Sequence, residues 1–185
     1  MNREEWLEAA TELVAPLFDG LVDRKPARVS VGFPAGGRGS NRTTIGQCHY
    51  ASEDKIPQIF IHPRLTDPVE VLGVLVHELT HAYLGGAAGH GKEFGRVARG
   101  IGLEGKLTAT TVGAELETDL RQVIEVLGEY PHSSLDASNR KKQTTRMIKV
   151  ECECGIIYRM SRGAMENALE IGCADRECDG EVQVG

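Results

Sequence analysis

The sequence predicts an α+β fold followed by a small metal-binding module at the C-terminal end. Within residues 1–136, apolar stripes with the helical period occur together with short alternating segments that are typical of strands. Four of the five cysteines lie in the last 34 residues, a clustering that indicates a metal site. The chain has 185 residues, a length that suits one domain with a small appendage.

The composition is that of an ordinary globular protein. Hydrophobic residues make up 41% and charged residues 26%, values that exclude disorder, collagen and coiled coil as descriptions of the whole chain. Aromatic residues are only 5%, so the core is expected to be mostly aliphatic. The net charge of −6 disfavours a protein that coats nucleic acid, and any such role needs a local basic patch.

Charge divides the chain into three blocks. Residues 1–136 carry 13 basic and 19 acidic side chains, residues 137–150 carry five basic and no acidic ones, and residues 151–185 carry three basic and eight acidic ones. The middle block is polar and lacks apolar periodicity, which is typical of a linker. The predicted organisation is a domain at 1–136, a basic linker at 137–148 and a small module at 149–185.

The N-terminal part predicts one helix and three strands. A helix is expected at residues 3–18, with an apolar stripe formed by Trp6, Ala10, Leu13, Val14, Leu17 and Phe18. Residues 28–33 alternate between apolar and other side chains and are expected to form a strand. Two more short strands are expected at residues 43–48 and 58–61.

The clearest predicted element is the next helix. Asp67 is a good N-cap, Pro68 suits the first helical position, and Glu70 lies three residues after the cap. Gly85 and Gly86 are expected to end the helix, so the predicted helix has about 17 residues between Asp67 and Gly85. Two further helices are expected, one after Gly91 and one that uses Leu116, Leu120, Val123, Ile124 and Leu127.

This helix carries the motif His77-Glu78-Leu79-Thr80-His81. Residues four apart lie on the same face of a helix, so both imidazoles can reach one zinc ion. Glu78 lies beside that ion, where a carboxylate can act as general base towards water that zinc has acidified to a pKa of about 7. The alternative is that the two histidines are partly buried and satisfied by hydrogen bonds alone.

A catalytic zinc needs a third protein ligand and an open fourth position. His90 is the best candidate, because the short loop of small residues at 87–89 can fold the chain back over the metal. A carboxylate from the last helix, Glu115, Glu117 or Asp119, is the alternative. The remaining histidines, His49, His62 and His132, are expected to be surface or core residues.

Three segments around these histidines, 67–72, 77–82 and 90–94, resemble the SprT-like zinc metallopeptidase family, which is related to the Spartan-type DNA–protein crosslink proteases. The family pattern is a helix with the two-histidine motif, then a short loop to a His-Gly-x-x-Phe segment. The resemblance is specific over residues 67–94 and looser over about 28–136.

The resemblance implies a small zincin-like metalloprotease domain, with a few-stranded sheet packed on helices. It implies that His77, His81 and His90 bind a catalytic zinc and that Glu78 is the catalytic base. Members often end in a zinc ribbon, and this chain also ends in a cysteine-rich segment.

A zinc ion beside a carboxylate can hydrolyse an amide or a similar carbonyl compound, because the zinc polarises the carbonyl and the carboxylate transfers the proton. The strand at 57–62 comes shortly before the zinc helix, so it is expected to border the cleft and to pair with an extended peptide. Tyr50 and Tyr83 are candidates for stabilising the oxyanion, although packing is the simpler role for each.

The C-terminal cysteines form two pairs, Cys152 with Cys154 and Cys173 with Cys178. Four thiolates suit a closed, structural zinc site, and residues 156–160 read as a strand that leaves the first pair. A module of this size cannot bury enough core alone, and metal binding of about 10 kcal/mol would make up the difference. The alternative is a degenerate ribbon with free thiols, because with only one residue between Cys152 and Cys154 both sulfurs can reach the same ion only with strain.

Cys48 has no partner in sequence and is expected to be a small core residue. The basic segment 140–149, together with the ribbon, is expected to bind DNA weakly and in a salt-sensitive way, and the alternative is a solvated linker. No signal core or membrane span is visible, so a cytoplasmic protein without a membrane partner is expected.

These patterns favour a zinc-dependent metalloendopeptidase that acts on protein or peptide substrates, with DNA-associated proteins as the suggested class. The cofactors would be one catalytic and one structural Zn²⁺. The alternative is a non-catalytic protein that binds nucleic acid or the transcription machinery and uses zinc only for its architecture.

Overall fold

The computed structural model describes residues 1–34, 44–50, 53–135, 147–167 and 171–184. The chain divides into two compact units, Met1–Ser138 and Asn139–Gly185. Apart from its last two residues, the linker predicted at 137–148 lies outside the described residues. Helices and small sheets occur in the same chain, which confirms the predicted α+β class.

Helix α1 spans Arg3–Val14 and begins with a capping box. The Asn2 side chain accepts a hydrogen bond from the Glu5 N–H, and the Glu5 carboxylate accepts one from the Asn2 N–H. A 3₁₀ turn follows at Ala15–Phe18. The helix predicted at residues 3–18 is therefore α-helical only as far as Val14 and continues as a 3₁₀ turn. Pro16 has no N–H with which to continue the α-helical hydrogen bonds.

The first unit contains a three-stranded sheet. Its strands are β1 at Arg28–Val31, β2 at Gly46–His49 and β3 at Gln58–Ile61. The order in space is β1-β3-β2, with β1 parallel and β2 antiparallel to β3. The central strand is therefore hydrogen-bonded on both sides, and β2 lies at an edge of the sheet.

Helix α2 spans Pro68–Leu84, as its sequence signals predict. The Asp67 side chain caps it by accepting a hydrogen bond from the Glu70 N–H at 2.8 Å. Eleven of its 17 residues are buried. A helix that is apolar nearly all round must lie inside the domain, so this helix forms the centre of the first unit.

The remaining elements of the first unit surround α2. Helix α3 spans Lys92–Ile101, and helix α4 spans Ala114–Leu127. Between them, β4 at Leu103–Lys106 pairs antiparallel with β5 at Ala109–Val112. This hairpin was not predicted, because most of its residues are exposed and its sequence has little apolar alternation.

Helix α2 packs against the sheet, the hairpin and the other three helices of the unit. The core around it is mostly aliphatic, as the composition predicts. Its largest fully buried side chains are Trp6, Phe18, Phe94, Leu7, Ile59, Ile61, Leu72, Leu75, Leu79, Leu116, Leu120 and Val14. This packing holds the face of α2 that carries the two-histidine motif in a rigid frame.

The second unit is a three-stranded antiparallel sheet with a short helix. Its elements are β6 at Ile148–Cys152, β7 at Ile157–Met160, α5 at Arg162–Asn167 and β8 at Val182–Val184. The strand order is β7-β6-β8. The strand expected after the first cysteine pair corresponds to β7. Within the described ranges of both units, no helix combines the length and apolar character that crossing a bilayer requires.

Candidate metal centres

Three histidine side chains meet on the first unit. His77 and His81 lie one turn apart on α2, and His90 lies in the short connection from α2 to α3. The His90 Nε2 atom is 3.1 Å from Nε2 of His81 and 3.3 Å from Nε2 of His77. Gly85 and Gly89 turn the connection back towards α2 with φ angles of 90° and 47°, which glycine adopts without strain.

The spacing of these nitrogens fits a zinc ion. Tetrahedral zinc binds nitrogen at about 2.0–2.1 Å, which places two ligand nitrogens about 3.3 Å apart. Burial, and next the charges of neighbouring imidazoles, lower the pKa of His77 to about 3 and that of His81 to about 4. The rings are therefore neutral at physiological pH, and their lone pairs are available to a cation. This group can hold a metal ion.

The alternative ligands lie elsewhere. The cluster of ligand atoms within 4.8 Å of one another contains the three histidines and none of Glu115, Glu117 or Asp119. These three residues occupy the beginning of α4, where Glu117 instead accepts hydrogen bonds from the Arg121 guanidinium. Of His90 and the three acidic residues considered as third ligand, the structure therefore brings only His90 to the site.

Glu78 is buried beside the cluster, with 6% of its surface exposed. Its carboxylate accepts a hydrogen bond from the Cys48 backbone N–H, on the edge strand β2. Burial raises the pKa of Glu78 to about 8, and this hydrogen bond opposes the rise. A divalent cation held by the histidines would favour the ionised carboxylate, because opposite charges attract strongly at a desolvated site.

The histidines and Glu78 share an open cleft of about 600 Å³. Its walls are formed by β2 and the residues next to it, by α2, by the connection after α2 and by the β4–β5 turn. The residues of these walls include Ile45, Gly46, Cys48, Tyr50, Val74, Gly86, Thr108 and Thr110. The arrangement can therefore bring a substrate from solvent to a metal ion with a buried carboxylate next to it.

The predicted role of the strand at 57–62 is wrong. It corresponds to β3, whose two edges are already hydrogen-bonded to β1 and β2, so no peptide can pair beside it. None of its residues lines the cleft, whereas β2 does. Closeness along the chain was misleading, because the sheet order places β2 outside β3 and next to the motif.

The two tyrosines that were candidates for oxyanion stabilisation have structural contacts. The Tyr50 hydroxyl donates to the His81 carbonyl oxygen at 2.8 Å, and its ring packs on Gly86. Tyr83 is 4% exposed, and its ring meets that of Phe18 edge-on at 4.8 Å. Tyr83 thus has the packing role that the sequence favoured, whereas Tyr50 lines the cleft with its hydroxyl bonded to the backbone.

The other histidines and Cys48 lie outside the ligand cluster. His49 packs on Phe60, His62 packs on Phe33, and His132 is hydrogen-bonded to the Pro63 carbonyl oxygen. Cys48 is half-buried against the core and lines the cleft. Burial raises the pKa of its thiol to about 11, so this cysteine is protonated at neutral pH.

One contact of the cluster was not predicted. The Thr110 Oγ1 atom lies 2.8 Å from Nδ1 of His77, on the side of the ring that faces away from the other histidines. The sequence offered no signal for this residue, because the β4–β5 hairpin that carries it was itself not predicted.

The four cysteines of the second unit also form a cluster. The Sγ atoms of Cys152 and Cys178 are 3.7 Å apart, and those of Cys154 and Cys173 are 3.6 Å apart. All four lie within 4.8 Å of one another. Tetrahedral zinc binds sulfur at about 2.3 Å, which places the ligand sulfurs about 3.8 Å apart. The spacing fits such a site despite the single residue between the first two cysteines.

A backbone N–H lowers the pKa of each of the four thiols, but burial and the neighbouring thiols leave the pKa of Cys152, Cys173 and Cys178 raised. The Ile156 N–H is the largest influence that lowers the pKa of Cys154, to about 7. Backbone N–H groups of Asp175 and Gly180 also donate to the sulfurs of Cys173 and Cys178, each at 3.4 Å. Thiolates are the form that binds zinc, so the turn backbone suits a metal site.

Comparisons with known proteins agree with the first cluster. A model of the SprT-like family matches residues 11–113, more than half of the chain. The matched segment contains the three histidines, Glu78 and the β4–β5 hairpin, and it ends before the second unit. Neither curated proteins nor solved structures gave a significant match.

Proposed function

Because the chain belongs to the SprT-like family, we propose that it is a zinc-dependent metallopeptidase with a zincin-like catalytic domain. The observation that carries the proposal is the convergence of three imidazole Nε2 atoms, 3.1 Å and 3.3 Å apart, beside a carboxylate that is 6% exposed. Both features lie in one open cleft. A purely structural metal site would be closed to solvent.

His77, His81 and His90 would hold the catalytic ion. Zinc bound there supplies a Lewis acid that polarises the scissile carbonyl and acidifies water. Glu78 accepts the proton of the attacking water and then donates it to the leaving amine nitrogen.

The edge strand β2 is the element best placed to bind a peptide. Within the described residues it pairs only with β3, and its residues line the cleft. An extended peptide that added to its outer edge would lie across the cleft. The Cys48 N–H is already given to Glu78, so the other outward-facing backbone groups of the strand would provide affinity without demanding a particular sequence.

Chelation tests the proposal directly. The zinc-loaded protein is expected to cleave an unfolded protein such as casein, and a strong chelator is expected to abolish this cleavage. Added zinc should restore it. The assay is repeated with single-stranded and duplex DNA. Absence of cleavage under all three conditions would favour the non-catalytic, nucleic-acid-binding alternative, and cleavage that survives chelation would exclude a metallopeptidase.

Gly46 offers a test of the cleft wall. A Cβ atom added there would lie 2.4 Å from Val74 Cγ1 and 2.7 Å from Glu78 Oε1, so the carboxylate would have to move. Gly46→Ala is expected to lower the free energy of unfolding by about 1–3 kcal/mol and to reduce cleavage. Denaturant titration and the casein assay measure the two effects.

Gly100→Ala is the matched control for that variant. Its Cβ would meet only the flexible Leu21 side chain, at 3.0 Å and 3.1 Å from the two terminal carbons. The position also lies in α3, where alanine is the better helix former. No comparable loss of activity is expected. If Gly46→Ala is as active and as stable as Gly100→Ala, the position assigned to Glu78 against β2 is wrong.

We further propose that the basic segment 140–149 brings the protein to DNA-associated substrates. Most of this segment lies outside the described residues, and Lys149 at its end is paired with Glu151. Residues 151–185 carry three basic and eight acidic side chains, so cations of the segment itself must make the phosphate contacts.

Neutralising the segment tests this role. Replacing Arg140, Lys141 and Lys142 by glutamine is expected to weaken binding to single-stranded DNA. It should also make the slope of log K against log salt less steep by about 2, because each phosphate contact contributes about 0.7 for single strands. Gel-shift titrations over a salt series provide both numbers. An unchanged slope would mean that the segment is a solvated linker.

A further inference from the structure

The hydrogen bond between His77 and Thr110 defines the state of one histidine. The His77 Nε2 atom faces His90, so this is the nitrogen whose lone pair must be free for a metal. In a neutral imidazole the proton then resides on Nδ1, which donates to the Thr110 Oγ1 atom at 2.8 Å. Within the described ranges, neither His81 nor His90 has a partner of this kind at Nδ1.

The strand β5 runs along α2 in a register that places Thr110 above His77. Thr110 and Val112 are two residues apart and project from the same face of the strand, about 6.7 Å apart. Gly73 and His77 are four residues apart on the same face of α2, about 6 Å apart. The two spacings nearly match, so Val112 lies over Gly73 while Thr110 lies over His77.

Gly73 is what permits this close approach. A Cβ atom at this position would lie 2.5 Å from Val112 Cγ2, far inside normal contact. Any larger side chain would therefore push β5 away from the helix and lengthen the Thr110–His77 hydrogen bond. The glycine is a packing requirement of the hairpin and lies four residues before the histidine motif.

We propose that Thr110 is a positioning residue for the metal site: it selects the Nε2-acceptor tautomer of His77 and fixes the plane of its ring. The proposal rests on the metal-binding role proposed for His77, and not on peptide cleavage. Partners of this type on metal-binding histidines restrict rotation of the ring and increase its basicity, and losing one typically weakens metal binding 10- to 100-fold.

Thr110→Val is the direct test, because valine keeps the shape of threonine and removes only the hydroxyl. Its affinity for zinc at the histidine site is expected to be about 10- to 100-fold lower than that of the wild type. Thr110→Ser keeps a hydroxyl and should restore most of the affinity. Thr111→Val makes the same chemical change on the exposed, opposite face of β5 and should bind zinc as the wild type does.

The affinities are measured on the whole 185-residue chain by competition with a chelator. Co²⁺ serves as a spectroscopic probe in parallel, because thiolate ligands produce charge-transfer bands that imidazole ligands do not. The two candidate sites are thereby observed separately in one sample. Circular dichroism melting shows whether each variant is folded.

A second pair of variants tests the same inference without touching Thr110 or His77. Gly73→Ala should weaken zinc binding at the histidine site, because Val112 is forced outward. Adding Val112→Ala removes the Cγ2 atom that clashes, so the double variant should recover part of the lost affinity. Recovery is a result that general destabilisation of the fold does not produce.

Zinc binding by Thr110→Val at wild-type affinity would overturn the inference, as would a Thr110→Ser variant no better than Thr110→Val. These outcomes are independent of the proposed enzyme activity. If the loaded wild type cleaves no substrate while Thr110→Val still binds zinc more weakly, the peptidase proposal fails and the positioning role stands.

Discussion

Replacing Glu78 by glutamine is expected to lower kcat/KM for peptide cleavage by about 10²–10⁴-fold, the usual contribution of a positioned general base. Glutamine has nearly the same shape but cannot accept the proton of the attacking water. The metal would be held by the three imidazoles and not by residue 78, so the zinc content of the histidine site should be unchanged. The variant should be a folded, metal-loaded and inactive protein.

Burial makes this variant informative about folding as well. Glu78 is 6% exposed, and an ionised carboxylate is costly to bury, so a neutral amide at the same position should not lower the free energy of unfolding. Zinc analysis, casein cleavage and urea unfolding together separate the chemical role from a structural one.

Glu70→Gln is the matched control. It makes the same substitution on the same helix, at an exposed position in the first turn, away from the cleft. It should retain full activity. Cleavage by Glu78→Gln at the rate of Glu70→Gln would exclude Glu78 as the base, and loss of zinc from Glu78→Gln would mean that the carboxylate is a ligand.

Replacing Cys154 by serine is expected to remove one of about two zinc ions per chain and to unfold the second unit. Among the described residues of that unit, only Val150 and Cys152 are buried hydrophobic residues. So small a core cannot offset the entropy of ordering the chain, and structural zinc contributes roughly 10–16 kcal/mol in modules of this kind. The three-stranded sheet should therefore depend on the metal.

Metal analysis and amide hydrogen exchange measure this result. Protection of β6, β7 and β8 should be lost, whereas protection of α2 in the first unit should remain. Cys48→Ser is the control, since Cys48 lies outside both clusters and should leave the zinc content unchanged. A Cys154→Ser protein that retains two zinc ions, or an apo-protein with a protected second sheet, would show that the unit is a ribbon that does not need zinc.

Much of the first site could be predicted from short stretches of the chain. The bounds of α2 follow from Asp67, Pro68 and Gly85, because a cap acts on backbone groups within three or four residues. The same helical geometry places His77 and His81 on one face. The cysteine pairs predicted a second cluster for a similar reason, since the two members of each pair are at most five residues apart in the chain.

Contacts between distant segments required the tertiary structure. It brought His90, and none of the acidic residues of α4, to the other two histidines, and it placed β2 instead of β3 along the cleft. Thr110 was missed altogether, because its hairpin is mostly exposed and gives no apolar signal.

The sequence by itself therefore determined the helix, its histidine motif and the cysteine pairs, since hydrogen bonds and side-chain directions within a few residues decide these features. Only the folded structure decided which distant segments contact these features. Such contacts depend on strand order and on close packing, for example of Val112 against Gly73. Strand order and close packing leave no local pattern in the sequence.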